Sequence, residues 1–417
     1  MQLQNLGVIG YSTRALAEAA VDLGYDVHAI DAFADQDTLD IAQCQIAHPW
    51  PQAIVECARR VKCDAWLLAG GMEHQGRIVG ELAKQAPVLA PLPAQLRQLR
   101  SLRTWRYLAA QVSGLSMPPT SAHRNTNATN AQTHTPYLYK PYRSSGGMHV
   151  SETLESAGLT GLPRGYWQQR IRGRSIGVTT ILREHSIELC GATESLGACD
   201  WDGPRPYSYR GSVGPIELDD AQREVVLRMA EIVRDQIGVR GWLQADFIED
   251  GAGRLWLLEI NPRWTAGMEV LHTCGASLAT SPLAGHLSAY DWNLSVPKRT
   301  PVANTTQGLS QKFGKCVQYA PYGMQLSRDV RIELQRFRDW RSADNSSRWN
   351  IADVPAIGEA GPVQFEAGQP LLTVRLALSD GGGQWRQVRQ EMLTRLQAAS
   401  RTITQLFSAS ASATNEA

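Results

Sequence analysis

The residues with the clearest capacity for chemistry lie between positions 242 and 263. Two apolar, β-prone stretches, 243–248 and 254–260, flank the turn-forming sequence Glu-Asp-Gly-Ala-Gly. This pattern predicts a two-stranded hairpin, which we place with its turn centred between Ala252 and Gly253.

This register would bring acidic and amide side chains together. Asp246 would stand opposite Glu259, and Gln244 opposite Asn261. Because side chains alternate along a strand, Asp246, Glu259 and Asn261 would then share one face. Facing carboxylates repel each other unless a cation lies between them, and hard oxygen ligands suit Mg²⁺. We therefore predict a magnesium site, with a surface hairpin of solvated acids as the alternative.

Composition limits the classes of protein to consider. The 417 residues allow two or three domains, and 43% hydrophobic with 19% charged residues is ordinary for a globular protein. A formal net charge of +1 gives no reason to expect nucleic acid or membrane as a partner. The sequence opens without a leader pattern and has no apolar run of membrane-spanning length, so we expect a cytoplasmic protein. The seven cysteines form no CxxC pair, which argues against disulfides and structural zinc.

Shifts in pattern divide the chain into three folded parts. The first begins with a strand, a helix and a strand, a β-α-β unit typical of a parallel α/β layer. The second mixes strands and helices, and the third has short strands separated by Gly and Pro. A low-complexity tail predicts disorder. The predicted limits are 1–92, 93–290, 296–400 and, for the tail, 408–417.

Two glycines in the first part bear on nucleotide binding. Gly7 and Gly10 follow the first predicted strand, and Asp31 stands where a ribose-binding acid would lie in a dinucleotide site. The middle glycine of that fingerprint is missing, so packing explains the pair better. A nicotinamide site stays the alternative.

A lysine and a glycine-rich loop predict a phosphate site. Lys140 ends a short strand and can place its ammonium on phosphate oxygens. The loop Ser144, Ser145, Gly146 and Gly147 can lay backbone N–H groups and hydroxyls over the same phosphates. The alternative is an ordinary hairpin loop beside a surface lysine.

A hinge between two strands follows this loop. Gln168, Gln169, Arg170 and Ile171 precede Gly173, and such a segment can offer main-chain donors and acceptors to an adenine edge. A purely structural hinge explains the same residues.

The order of these parts resembles the ATP-grasp superfamily of carboxylate–amine ligases, over residues 1 to about 290. Its most specific piece is the sequence Leu-Glu-Ile-Asn-Pro-Arg at 258–263, with Asp246 upstream. The resemblance implies an ATP-grasp fold of mixed α/β and α+β class. A Rossmann-like N-terminal α/β domain, a central ATP-grasp domain and a small β-rich C-terminal domain would compose it.

The resemblance also implies roles for particular residues. Mg²⁺ would bind Asp246, Glu259 and Asn261, and the adenine would meet the hinge. Lys140 and the glycine-rich loop would grip the phosphates of ATP. Arg100 or Arg103 would stand where many members carry a first phosphate-binding lysine, and Arg263 would steady an acyl phosphate or a substrate carboxylate.

Finer motifs are similar to a bacterial subgroup of ATP-dependent carboligases associated with tetrahydromethanopterin-linked one-carbon metabolism. They are Gly-Gly-Met-Glu at 70–73, Tyr-Arg-Gly-Ser at 209–212, and the Ala-Asp-x-Pro and Gly-x-Pro sequences at 352–355 and 368–370. The substrate contacts that we expect are Glu73, Arg210, Trp264 and Gly267.

The resulting functional hypothesis is an ATP-dependent carboxylate–amine ligase that uses Mg-ATP and an acyl phosphate. Its substrates would be a small-molecule carboxylate and an amine, with a pterin cofactor pathway as the context that the subgroup implies. A homo-oligomer is compatible with it. The alternatives are a nicotinamide-dependent oxidoreductase and a non-catalytic ATP-binding regulator.

Overall fold

The fold comes from a computed structural model of the chain. It describes residues 4–122, 136–152, 164–274, 281–292, 311–344, 346–358, 362–379 and 382–413. The start of the predicted C-terminal domain and the last four residues of the predicted tail lie outside these ranges. None of the helices in the described ranges has the length and apolar character needed to cross a bilayer.

The N-terminal part is a parallel α/β layer, as predicted. Strands β1, β2 and β4 are mostly buried and the edge strand β3 is partly exposed, and the four pair in the order β3-β2-β1-β4 with all neighbours parallel. Their carboxyl ends therefore meet at one edge of the sheet, where ligands bind in open α/β sheets. The elements are β1 (Asn5–Ile9), α1 (Arg14–Asp22), β2 (Asp26–Asp31), α2 (Gln36–Ile41), β3 (Gln43–Ile46), α3 (Ile54–Ala58), β4 (Ala65–Leu68), a 3₁₀ turn (Met72–His74) and α4 (Gly76–Leu82).

Two helices lead from this layer into a small antiparallel sheet. The helices are α5 (Pro93–Leu99) and α6 (Leu102–Gln111), and β5 (Leu115–Ser116) follows them. The sheet has the order β6-β8-β7. Its strands are β6 (Thr120–Ser121), β7 (Tyr137–Pro141) and β8 (Gly165–Gln169).

A ten-stranded sheet forms the body of the molecule. Its order is β16-β17-β19-β14-β11-β10-β9-β12-β13-β5. The part up to residue 290 comprises β9 (Arg174–Leu182), β10 (Ile187–Ser195), β11 (Gly211–Ile216), α7 (Asp220–Ile232) with a π-helical turn (Val233–Ile237), β12 (Gly241–Glu249), β13 (Leu255–Asn261), α8 (Ala266–Thr273) and α9 (Pro282–Ala289).

The C-terminal strands continue this sheet, although the sequence predicted a small domain of their own. Strand β14 pairs with β11, and Gly211 makes that approach possible because a Cβ there would lie 2.1 Å from the Lys315 carbonyl oxygen. The elements are β14 (Gln311–Tyr319), β15 (Met324–Leu326), α10 (Arg328–Gln335), β16 (Arg341–Asp344), β17 (Ser347–Ala352), β18 (Val363–Phe365), β19 (Pro370–Ser379) and α11 (Trp385–Ala413).

The last helix is longer than predicted and enters the predicted disordered tail. Buried residues at helical spacing, among them Val388, Met392, Leu396 and Ile403, hold α11 in the hydrophobic core that also contains β14 and β19. The helix then runs on to Ala413, into the first six residues of the predicted tail at 408–417.

Candidate active site

The hairpin of β12 and β13 has the pairing predicted for its acidic residues. Asp246 pairs with Glu259, and Gln244 pairs with Asn261. The Asn261 side-chain nitrogen donates to Asp246 Oδ2 at 2.8 Å and to Glu259 Oε1 at 3.2 Å. The three predicted metal ligands therefore converge on one face of the sheet.

The turn of the hairpin differs from the prediction. Glu249 pairs with Leu255, so the turn is centred on Ala252 and not between Ala252 and Gly253. A β-bulge at Leu258 shifts the register by one residue and restores the predicted pairing of the carboxylates. Without this bulge, the two carboxylates would not face each other.

The two carboxylates have opposite protonation tendencies. Burial and the charge of Glu259 raise the pKa of Asp246 to about 7. Burial also opposes ionisation of Glu259, but Arg100, the Asn261 amide and Arg263 together lower its pKa to about 2. The repulsion between the facing carboxylates thus falls on Asp246, while Glu259 keeps its charge beside the two arginines.

The donor set suits a magnesium ion that also binds phosphates. Across the described part of the chain, no three His, Cys, Asp or Glu side chains cluster as a metal site. The donor set at the hairpin is instead two carboxylates and one amide oxygen, from Asp246, Glu259 and Asn261. Mg²⁺ commonly binds one or two carboxylates together with substrate phosphates. The residues present fit that ion.

Three further residues support the carboxylates, and the sequence reading did not assign them to the site. Gln244 donates to Asp246 Oδ1 at 2.7 Å and accepts a short hydrogen bond from the Thr265 hydroxyl. Gly177 pairs with Asp246 on β9. A Cβ there would lie 2.8 Å from Gln244 Nε2, so only glycine leaves room for this contact. The position of Thr265 before α8, typical of an N-cap, was the available signal.

Arg100 lies at the same carboxylates, as the resemblance implied for a phosphate-binding cation. It follows α5, and its Nη1 donates to Glu259 Oε2 at 3.0 Å and to Asn261 Oδ1 at 3.3 Å. Arg103 is exposed on the next helix. Of the two candidate arginines, Arg100 is the one at the site.

Lys140 points toward the same acids from the small sheet. Burial lowers the pKa of its ammonium, while the charges of Glu259 and Asp246 act in the opposite direction. A half-buried cation near two carboxylates is positioned for a polyanion that would approach them.

The Ser144–Gly147 loop reaches the N-terminal layer. Ser145 Oγ donates to Glu73 Oε1 at 3.0 Å, and the Ser144 carbonyl oxygen lies 3.1 Å from His74 Nε2. The loop backbone is also fixed on its other side, because Tyr209 N donates to the Gly146 carbonyl oxygen at 2.8 Å. His74, which follows the Gly-Gly-Met-Glu motif, was missed in the sequence.

Glu73 and Arg263, predicted as a substrate contact and a catalytic residue, form a buried ion pair. Arg263 Nη2 donates to Glu73 Oε1 at 2.9 Å and to Ser145 Oγ at 3.3 Å. Burial opposes the charge on Glu73, but Arg263 and Arg100 lower its pKa. Within the described residues, Glu73 Oε2 and Arg263 Nε are buried and make no hydrogen bond. Both groups can still bind a ligand.

The hinge is only partly available to a base. The backbone N–H groups of Gln169 and Arg170 donate to the carbonyl oxygens of Pro119 and Pro136, each at 2.9 Å, so they cannot serve an adenine edge as predicted. Gln168 is buried, and its side-chain nitrogen has no hydrogen-bond partner among the described residues. The contact at Ile171 stays a prediction.

Three predicted substrate contacts have structural roles in this arrangement. The Nη atoms of Arg210 donate to the carbonyl oxygens of Arg205, Pro206 and Ser208, which fixes their own loop. Trp264 is 4% exposed and packs on Trp242 in the core. The prediction for Trp264 rested on proximity to the hairpin in sequence, and that for Arg210 rested on the motif at 209–212. Neither signal reveals packing.

Gly267 is likewise a packing residue. A Cβ there would lie 2.8 Å from Thr193 Oγ1 and 3.0 Å from Gln244 Oε1. The glycine lets α8 lie close to the sheet beneath the carboxylates, and it does not face an open substrate surface.

The glycine pair of the N-terminal layer is also explained by packing. A Cβ on Gly7 would lie 2.2 Å from the Trp66 ring, and one on Gly10 would lie 2.5 Å from the Ala69 Cβ. Asp31 accepts hydrogen bonds from the Thr13 hydroxyl and from nearby backbone N–H groups. These groups serve the fold, which removes the basis of the nicotinamide alternative.

Comparison with known proteins finds a domain match, and a short sequence match is among the relatives found. Residues 102–267 match the family model described as the ATP-grasp domain. A stretch of 47 residues is 43% identical to D-alanine–D-alanine ligase B of Pseudomonas syringae pv. tomato. This match covers 11% of the chain and 15% of that ligase, so the chain spans a small part of the relative's length.

Solved structures resemble nearly the whole chain. One is the biotin carboxylase domain of the Hydrogenobacter thermophilus 2-oxoglutarate carboxylase, which was solved with MgADP. Its TM-score is 0.62 at 13% identity, and the match covers 91% of this chain and 87% of that domain's chain. The N5-carboxyaminoimidazole synthetase of Staphylococcus aureus, solved with ADP, has a TM-score of 0.61 at 13% identity, covering 95% and 98%. At such identity the likeness concerns the fold alone. Residues 102–267 form an ATP-grasp domain, and the chain as a whole has the ATP-grasp fold.

Proposed function

We propose that the chain is an ATP-dependent ligase that joins a small-molecule carboxylate to an amine through an acyl phosphate. The observation that carries this proposal is the pair of facing carboxylates, Asp246 and Glu259, with Asn261 beside them and Lys140 pointing toward them. Mg²⁺ and ATP as the bound species are supported by the donor set and by the MgADP and ADP of the structural neighbours.

Mg²⁺ held by Asp246, Glu259 and Asn261 would neutralise negative charge on the phosphates of ATP during phosphoryl transfer. The remaining work falls to side chains of the chain. Lys140 binds the phosphates as a half-buried cation, and the Ser144–Gly147 loop covers them and excludes water.

Arg263 and Glu73 are proposed to bind the two substrates. The guanidinium of Arg263 is a planar fork that matches a carboxylate or an acyl phosphate. Glu73 Oε2, which is buried and without a hydrogen-bond partner in the described residues, can accept from an amine. The pair would place both reactants beside the phosphate site, and positioning would supply most of the rate.

The chain offers a direct test with matched controls. We expect Glu259→Gln and Lys140→Ala to abolish phosphate release from Mg-ATP in the presence of acid and amine. Glu56→Gln and Lys84→Ala alter exposed side chains of the same types and should leave the rate unchanged. Full turnover by a folded Glu259→Gln variant would refute the ligase. Binding of Mg-ATP by the wild type without ADP release from any acid–amine pair would favour the non-catalytic regulator.

The substrate class has support at the carboxyl edge of the N-terminal sheet. Tyr11 and Phe33, which follow β1 and β2, are 47% and 42% exposed, and their ring centroids lie 4.9 Å apart. Trp50, which follows β3, lies 5.7 Å from Tyr11. The Gly70 carbonyl oxygen accepts from Tyr11 N at 2.8 Å, and a Cβ on Gly70 would meet no atom within 4 Å, so there is open space at this glycine.

These exposed rings favour a substrate with a planar ring, the class to which a pterin belongs. A place in tetrahydromethanopterin-linked one-carbon metabolism remains our proposal on the motifs at 70–73 and 209–212. A cytoplasmic homo-oligomer is part of the same proposal.

Two ligands that differ only in the ring can test this substrate class. Benzoate and cyclohexanecarboxylate carry the same ionised carboxylate on a flat and a puckered ring. By calorimetry with Mg-ADP present, we expect the flat ring to bind roughly three- to tenfold tighter. Phe33→Leu should remove the preference, and Tyr322→Leu, at a 62% exposed ring between β14 and β15, should keep it. Equal binding of both ligands, or binding of neither, would contradict the planar substrate.

A further inference from the structure

Arg100 fills the side of the carboxylate pair that a metal ion would need. Its Nη1 lies 3.0 Å from Glu259 Oε2 and 3.3 Å from Asn261 Oδ1, and its side chain is only 13% exposed. A guanidinium at this distance supplies the positive charge and the hydrogen bonds that Glu259 would otherwise seek from a cation.

The orientation of the Asn261 amide suits a neighbouring guanidinium and does not suit a metal ion. Its Nδ2 donates to both carboxylates, while its Oδ1 accepts from Arg100 and lies 3.4 Å from Arg263 Nη2. If Asn261 is a ligand of a metal ion, it would bind through its oxygen, since an NH₂ group only donates. The amide would then have to rotate from the orientation that it has here.

Arg100 has a reason to leave when phosphates arrive. Its Nε is buried and makes no hydrogen bond within the described residues, and its Nη2 lies 3.4 Å from His74 Nε2. The Nε2 atom of His74 also faces the Ser144 carbonyl oxygen, which it can serve only as a donor. The contact with His74 therefore gives Arg100 little, whereas a phosphate accepts several N–H groups of a guanidinium at once.

Building on the proposed function, we propose that Arg100 keeps the metal site closed until a nucleotide is bound. In the free protein its guanidinium and the Asn261 amide satisfy the two carboxylates. Nucleotide phosphates draw Arg100 away from Glu259, Asn261 turns its oxygen inward, and the ion then enters with the nucleotide. Free Mg²⁺ is excluded because it would compete with Arg100 for Glu259 Oε2 and face its positive charge.

Manganese binding in the absence of turnover tests this order. Free Mn²⁺ is measured by electron paramagnetic resonance with the full chain, with and without ADP. We expect the wild type to bind Mn²⁺ at least tenfold more weakly without ADP than with it. Arg100→Ala should bind Mn²⁺ at least tenfold more tightly than the wild type when ADP is absent. We expect this variant to bind ADP more weakly than the wild type does.

Two other arginine variants make the result specific. Arg97→Ala removes an exposed arginine one turn earlier on the same helix, so it should behave as the wild type. Arg100→Lys keeps the charge but loses the planar fork, and we expect Mn²⁺ binding between those of the wild type and Arg100→Ala.

The outcomes separate this inference from the ligase proposal. If the wild type and Arg100→Ala bind Mn²⁺ equally without ADP, Arg100 does not close the metal site. The ligase proposal still stands in that case if Glu259→Gln abolishes Mn²⁺ binding. If Glu259→Gln binds Mn²⁺ with ADP as the wild type does, the metal site itself is wrong and both proposals fail.

Discussion

At the scale of single residues, the candidate site depends on how a few polar atoms are shared. The Asp246 carboxylate receives one hydrogen bond from Gln244 and one from Asn261, at 2.7 and 2.8 Å. Gln244 is itself oriented by the Thr265 hydroxyl, which donates to its oxygen. Such supporting contacts fix the direction of a ligand oxygen, and their loss typically costs 10- to 100-fold in metal affinity.

Gly177 allows a prediction about this support. In Gly177→Ala the new methyl group would lie 2.8 Å from Gln244 Nε2 and 3.1 Å from Asp246 Oδ1, so Gln244 must shift. We expect Mn²⁺ binding in the presence of ADP to weaken by about tenfold or more. Gly251→Ala, in the hairpin turn, adds a methyl group that meets nothing within 4 Å and should bind as the wild type does. Unchanged affinity in Gly177→Ala would mean that Gln244 does not orient the ligand.

At the scale of elements, the local sequence pattern predicted individual strands better than it predicted contacts between residues far apart in the chain. The alternation of apolar residues located β12 and β13, and with them the facing pair of Asp246 and Glu259. The bulge at Leu258 was not predictable. It compensates for a turn that is centred on Ala252, half a residue before the expected centre. The pairing was right while the turn was wrong.

Errors about the other elements have the same origin. The antiparallel pairing of Gly211 with Cys316 joins residues more than a hundred positions apart, and no local pattern announces it. Trp264 was expected beside the substrate because it follows the metal-ligand hairpin. Its burial depends on its backbone hydrogen bond to Leu68 in the N-terminal sheet, at 2.9 Å, and on Trp242.

At the scale of the whole molecule, one buried cluster of charges joins the three parts of the chain. Glu269 on α8 accepts hydrogen bonds from Arg14 on α1, at 2.6 Å, and from Lys315 on β14. Arg14 also donates to Asp353, which follows β17, at 2.9 Å. Burial opposes the charge of Glu269, but Arg14 and Lys315 lower its pKa. This carboxylate therefore stays charged and ties α1 of the N-terminal layer to β14 of the large sheet.

Replacing that carboxylate should loosen the molecule at this junction. Glu269→Gln keeps the volume but leaves Arg14 and Lys315 without their shared negative partner, and loss of one member of a buried ion pair costs about 3–5 kcal/mol. We expect an earlier midpoint of urea unfolding. Glu56→Gln breaks ion pairs of a side chain that is 59% exposed and should change stability by less than about 0.5 kcal/mol. If the two variants unfold at the same urea concentration, the buried cluster does not hold the parts together, and the hydrophobic cores beside it carry the junction instead.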